Sequence, residues 1–228
     1  GYDNVDLEYS SEKGIVVMNT PGQNSNAVAE LAVAMMLFMV RNKFNGKSGT
    51  ELKGKKLGIH AYGNVGKAIS TIAKGLGMEV FAYDPYITDE VMEKDGIVPI
   101  KSAELLYEQC QYISLNIPAT EETKNSINYD LINRMPQGAT LVNTARKEVV
   151  CEDSLKKLFD DRSDFMYLSD IAPDTSDDLV GQYGDRVFFT PKKMGAQTFE
   201  ANVNAGVAAA NQIIRFFENG DTTFQVNK

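Results

Sequence analysis

The sequence predicts an α/β fold: a doubly wound parallel sheet with helices on both faces. Three observations predict it. From residue 56 onward, short apolar runs alternate with helical stretches. The runs are almost continuously apolar, as strands buried on both faces must be. A glycine turn separates the first run from the helix after it, and such a turn is a common anion-binding device in parallel sheets.

Residues 1–25 read as mid-domain sequence: a short helical piece, a strand over 14–19, then a Pro-Gly turn. One strand and one helix cannot bury a core alone, so further chain is expected before Gly1. A helix follows over 26–41, with Asn24 or Ser25 as its N-cap. It is apolar nearly all round (AVAELAVAMMLFMV, interrupted only by Glu30), which predicts a buried interface helix. Residues 42–55 are a polar linker containing Gly46, Gly49 and Gly54. Strands are then expected at 56–60, 79–83, 112–116, 140–143, 166–170 and 187–189. Helices are expected at 65–76, 88–94, 102–108, 129–134, 152–159 and 197–218.

With 228 residues, 43% hydrophobic and 24% charged, the chain suits one large globular domain or about one and a half. A net charge of −8 without a basic patch argues against nucleic acid as a partner. No apolar run reaches the roughly 18–20 residues of a membrane span, and no signal peptide pattern is seen. Two cysteines, Cys110 and Cys151, predict a reducing compartment, hence a cytoplasmic location. Cys110 reads as structural. Cys151 reads as an unreactive helix-start cysteine, with a thiolate as the alternative. The acidic residues Asp160, Asp161 and Asp164 read as a solvated loop.

The stretch LGIHAYGNVGKAIS, residues 57–70, ends a strand, turns on Gly63 and Gly66, and opens a helix. It matches G-x-G-x-x-G with Ala61 at the first glycine. The second glycine lets backbone approach a pyrophosphate, and the third lets helix pack on strand. Tyr62, Gly63, Asn64, Val65 and Gly66 would line the phosphates, with N–H groups at the positive end of the helix dipole. Asp84 ends the next strand, 18 residues past Gly66. A carboxylate there accepts from a ribose 2′-OH and repels a 2′-phosphate, which favours NAD. His60, the only histidine, lies within the strand and reads as structural, not catalytic.

These motifs and six further segments resemble the D-isomer-specific 2-hydroxyacid dehydrogenases, and among them most the short D-3-phosphoglycerate dehydrogenases. The segments are GYDNVD with NTPGQNSNAVAEL, then SLNIPATEET, LVNTARKEVVCEDSL, SDIAPD and TPKKMGAQT. The resemblance implies a Rossmann cofactor domain over 51–194 and a partial, truncated flavodoxin-like substrate domain. Residues 1–25 would be the end of that substrate domain. Residues 26–50 would be the inter-domain helix and linker, with a homodimer formed through 26–41. Residues 195–228 would cross back to the substrate domain. It further implies NAD contacts from Pro85, Asn116, Pro118, Thr123, Thr144, Ala145, Asp170, Gly195 and Ala196. No metal site is expected.

The resemblance implies hydride transfer between NAD and C2 of a 2-oxo/2-hydroxy acid. Arg146 matches the arginine that holds the acid, where a planar fork suits an α-keto acid better than lysine. The remaining two catalytic positions depart from the pattern. The glutamate position is Thr175, with Asp174 one place early. The histidine of T-P-H-x-G is replaced within T-P-K-K-M-G, so Lys193 or Lys192 takes its place depending on the direction of counting. The departures agree chemically. A glutamate beside lysine would raise a pKa already near ~10.4, whereas partial burial and a neighbouring cation would lower it. Lys193 is therefore expected to be the acid/base. The expected reaction interconverts 3-phosphoglycerate and 3-phosphohydroxypyruvate, the first step of serine synthesis, with glyoxylate or hydroxypyruvate reduction as the alternative. A non-catalytic NAD(H)-sensing dimer is the rival from another class. Without the rest of its substrate cleft, residues 1–228 alone would bind NAD but not turn over.

Overall fold

The computed structural model describes Tyr2 and residues 4–228. In chain order the elements are α1 (Leu7–Glu12), α2 (Ser25–Val40), β1 (Lys56–His60), α3 (Asn64–Gly75), β2 (Glu79–Tyr83), α4 (Asp89–Lys94), β3 (Val98–Pro99), α5 (Ala103–Gln109), β4 (Tyr112–Leu115), α6 (Tyr129–Ile132), β5 (Thr140–Asn143), α7 (Glu152–Asp161), β6 (Met166–Ser169), α8 (Ser176–Tyr183), β7 (Val187–Phe189) and α9 (Phe199–Asn219). The strands form one seven-stranded sheet in the order β3-β2-β1-β4-β5-β6-β7. Every pairing within it is parallel.

The sheet is covered on both faces, and successive strand residues show why the strands read as continuous apolar runs. Val80 and Ala82 enter one core cluster while Phe81 enters the other; Val142 and Leu168 face away from Leu141 and Tyr167. Strand side chains alternate between faces, so both sets are buried only if both faces are roofed. On one face the roof comes from α5, α6, α7 and α8, through Leu106, Ile132, Leu158 and Leu179. On the other it comes from α2, α3 and α4, through Met36, Ile69 and Met92.

The chain divides into two compact units. The larger, Val28–Gly195, holds the sheet. The smaller joins residues 1–27 to 196–228. In the smaller unit Asn227 ties the two ends of the sequence together. Its Oδ1 accepts from Val17 N–H at 2.9 Å and its Nδ2 donates to Ile15 O at 2.8 Å. Its helix α9 is capped by Thr198, whose side chain accepts from Ala201 N–H, and stops at the left-handed Gly220.

Several expectations need correction. The strand over 14–19 does not form: Met18 makes one isolated antiparallel bridge to Gln225, and Ile15 is exposed. Its apolar residues lack the second neighbouring strand that would turn a run into sheet. β3 and α8 were not anticipated. β3 is a two-residue edge strand ending in Pro99, and an edge tolerates proline. α8 buries only Leu179, too little for a readable stripe. The expected burial of α2 is met within the chain: Ala29, Ala32, Val33, Met35, Met36 and Met39 are buried in the sheet's core.

Candidate active site

The strand order reverses between β1 and β4. The chain steps outward from β1 to β2 and β3, then returns to the other side of β1. Loops leaving the carboxyl ends of β1 and β4 must diverge there, and the crevice is where open α/β sheets bind ligands.

The turn from β1 to α3 is shaped for an anion. Gly63 is the N-cap of α3, and no side chain caps that end. A Cβ on Gly63 would meet nothing within 4 Å, whereas one on Gly66 would lie 2.5 Å from Ala61 O and 2.8 Å from Ile59 Cγ2. Gly66 therefore sets the close packing of helix on strand. Ala61 adopts φ 76°, the left-handed conformation that explains why the motif prefers glycine at this position. Tyr62 N–H donates to Asp84 Oδ2 at 2.8 Å, which fastens the phosphate turn to the end of β2. Asp84 Oδ1 accepts from the N–H groups of Tyr86 and Ile87 at 2.8 and 3.2 Å. Pro85 beside it is exposed.

Asn116 and Thr144 follow β4 and β5, whose register pairs Leu115 with Asn143. The two therefore occupy neighbouring places at the carboxyl edge. Asn116 Oδ1 and Thr144 Oγ1 are buried without a hydrogen-bond partner. Each such group costs about 1–3 kcal/mol unless something supplies a partner. Two orphans side by side at the carboxyl edge, next to the switch point, fit a polar ligand, and the residues present thus fit a dinucleotide. Thr123 turns inward on its own loop, with Oγ1 donating to Pro118 O at 2.6 Å. Ala145 N–H donates to Asn143 Oδ1 at 3.0 Å, and Asn143 Nδ2 donates to Arg146 O at 2.9 Å. Asn143 thereby fixes the turn carrying Arg146, which is half-buried.

Asp170, at the end of β6, has a role the sequence did not reveal. It is buried. Its Oδ1 accepts from Met194 N–H at 2.9 Å and from Thr190 Oγ1 at 3.0 Å, and its Oδ2 accepts from Gly195 N–H at 2.8 Å. This one carboxylate holds the whole TPKKMG loop against β6. Gly195 is required by that grip, since a Cβ there would come within 2.9 Å of Asp170 Oδ2. Ala196 belongs to the smaller unit. Lys192 and Lys193 are both exposed, so the partial burial expected to lower a lysine pKa is not found in this chain.

Asp174, one place from the position of the missing glutamate, is exposed and ion-paired. Its Oδ1 accepts from Lys147 Nζ at 2.5 Å. Thr175 donates through N–H (3.0 Å) and Oγ1 (2.9 Å) to Glu152 Oε2, while Asp174 N–H reaches Glu152 Oε1 at 2.8 Å. Sequence reasoning missed Glu152, because a carboxylate at the start of a helix is ordinarily explained by the helix dipole. His60 is structural: its Nδ1 lies 3.2 Å from Tyr107 Oη, and burial lowers its pKa to about 4 against the opposing pull of Asp84 and Glu104. Burial pushes the Cys110 thiol up to about 12, which keeps it protonated. No helix among the described residues is long and apolar enough to cross a membrane.

Fold and site together define a dinucleotide-binding α/β domain with an arginine, two lysines and a buried aspartate on the loops at its carboxyl edge. The sequence profile described as "D-isomer specific 2-hydroxyacid dehydrogenase, NAD binding domain" matches residues 27–191. The chain belongs to that family, and NAD is the cofactor of the matched domain. It is 33% identical over 246 residues to a D-3-phosphoglycerate dehydrogenase of Haemophilus influenzae, covering 100% of this chain and 59% of that protein. It is 33% identical over 234 residues to a hydroxypyruvate reductase of Thermotoga maritima, covering 94% of this chain and 74% of that one. The NAD+-bound 3-phosphoglycerate dehydrogenase of Entamoeba histolytica superposes with a TM-score of 0.91 at 49% identity, over 100% of this chain and 73% of that structure. The chain thus spans about three fifths of the length of the Haemophilus relative.

Proposed function

We propose that the protein containing this chain is an NAD-dependent dehydrogenase that interconverts 3-phosphoglycerate and 3-phosphohydroxypyruvate. The supporting observation is the grip of Asp170 on the TPKKMG loop, which fixes a lysine pair in the same unit as the Arg146 turn and the NAD crevice. Held at the β1–α3 turn and beside Asn116 and Thr144, NAD would supply or accept the hydride exchanged with the substrate's C2. Arg146 binds the oxo acid through its carboxylate, where two parallel N–H bonds give orientation as well as affinity. Lys193 delivers a proton to the carbonyl oxygen in the reductive direction and removes it in the other. An ammonium exposed in this chain is competent as a donor without any pKa shift. Lys192, beside it, suits the substrate's phosphate. The relatives named for phosphoglycerate favour this substrate. The Thermotoga relative favours hydroxypyruvate as the second reading. A homodimer through residues 26–41 rests on the family resemblance, since α2 buries most of its apolar side chains at home.

The test is NADH oxidation by the intact protein with 3-phosphohydroxypyruvate, hydroxypyruvate and glyoxylate compared side by side. Lys193→Met should lower turnover by roughly 10²-fold or more, with NADH binding retained; Lys192→Met should chiefly raise KM for the phosphorylated acid. Near-full turnover in Lys193→Met removes the acid/base role. NADH binding without turnover of any oxo acid replaces the dehydrogenase reading with that of an NAD(H) sensor.

A further inference from the structure

We infer that Glu152 is a positioning residue for oxo-acid binding, a conclusion that rests on the proposed role of Arg146. The turn between β5 and α7 carries Arg146 and is secured on one side. Asn143 holds Ala145 and Arg146 from below, and Cys151 N–H donates to Ile127 O at 3.0 Å at its far end. The neighbouring loop, between β6 and α8, is braced to this turn by Glu152. Three donors converge on its carboxylate: Asp174 N–H on Oε1, and Thr175 N–H and Oγ1 on Oε2. Asp174 then reaches back to Lys147, the residue after Arg146. The result is a closed circuit: Glu152 grips residues 174 and 175, and Asp174 grips Lys147 in the Arg146 turn.

The circuit has a chemical logic. A bidentate arginine must meet a planar carboxylate in one orientation, and a displacement of about 1 Å at such a contact can cost ~10²-fold in rate. The ion pair from Lys147 to Asp174 is largely exposed on the aspartate side, so alone it would constrain little. Glu152 makes it effective by fixing the backbone of Asp174. Both carboxylate oxygens face N–H donors, which makes the site intolerant of an amide. In Glu152→Gln, one end must present N–H₂ to an N–H.

The experiment uses the intact protein with two probes: turnover of the oxo acid, and binding of oxamate, an unreactive oxo-acid mimic, to the NADH complex by calorimetry. Glu152→Gln should raise KM for the oxo acid and Kd for oxamate about tenfold, with NADH affinity within about twofold of the parent. Thr175→Val, which removes one donor of three and leaves both backbone bonds, should give a smaller change in the same direction. Thr175→Ser should restore the parent values. Parent-like oxamate binding in Glu152→Gln overturns the inference, as does a loss of oxamate and NADH binding in equal measure. If the parent binds oxamate without turnover and Glu152→Gln loses that binding, the positioning role stands while the dehydrogenase reading falls. If the parent neither binds oxamate nor turns over, both fall.

Discussion

His60 shows how one side chain can tie stability to pH. Burial lowers its pKa from 6.5 to about 4, so the folded state holds it neutral where the unfolded chain would protonate it. Above the unfolded value the folded state keeps its full stability. As pH falls from about 6.5 toward 4 the unfolded state binds the proton first, and stability declines. The span corresponds to about 3 kcal/mol at the lower limit. Denaturant unfolding at about pH 7 and about pH 4.5, compared with His60→Phe, checks this. The parent should lose clearly more stability than the variant, and equal losses would remove His60 as the source. The histidine's structural role was legible in the sequence because it sits inside an apolar strand. The roles of Asp170 and Glu152 were not. Asp170 acts on residues 24 and 25 places away, and Glu152 on residues 22 and 23 away, and spacing alone does not say which loops meet.

The β1–α3 turn shows the same limit at the level of elements. Ala61 was visible as a departure from the glycine pattern, but only its φ of 76° shows the departure to be strained. Left-handed alanine costs about 1 kcal/mol against glycine. Ala61→Gly should therefore raise stability by roughly 0.5–1 kcal/mol, read as a higher urea midpoint with NADH affinity kept. A lower midpoint would mean that the methyl group contributes packing that outweighs the strain. The other strands of the sheet were readable because both of its faces are roofed, which leaves short, mostly apolar segments of three to five residues. β3 was hidden by its length of two residues. The run at 14–19 misled because apolar residues do not reveal whether a partner strand exists. The left-handed turn at Asn42–Phe44 was equally hidden: three non-glycine residues hold φ of 50–57°. Lys43 pins that turn by donating to Gly184 O and Val187 O.

At the scale of the whole molecule, the doubly wound class and the cofactor crevice followed from the order of elements, because strand, glycine turn, helix and strand occur in sequence. The division into units did not follow so directly, since α2 packs with the sheet. The smaller unit depends on Asn227, which supplies bonds to Ser11, Ile15 and Val17. Asn227→Ala should speed hydrogen exchange at the Val17 amide by tenfold or more, about 1.4 kcal/mol of local stability, while amides of β1 and β4 keep their protection. Unchanged exchange at Val17 would show that Val226 N–H, which donates to Val17 O at 2.9 Å, suffices. The pairing of residue 17 with residue 227 also sets a timetable on the ribosome. The two lie 210 positions apart, so at roughly 5–20 residues per second the early segment stays unpaired for on the order of ten to forty seconds. All residues of the sheet-bearing unit, 28–195, are synthesised before residue 227, so its smaller companion is the last part of the chain able to close.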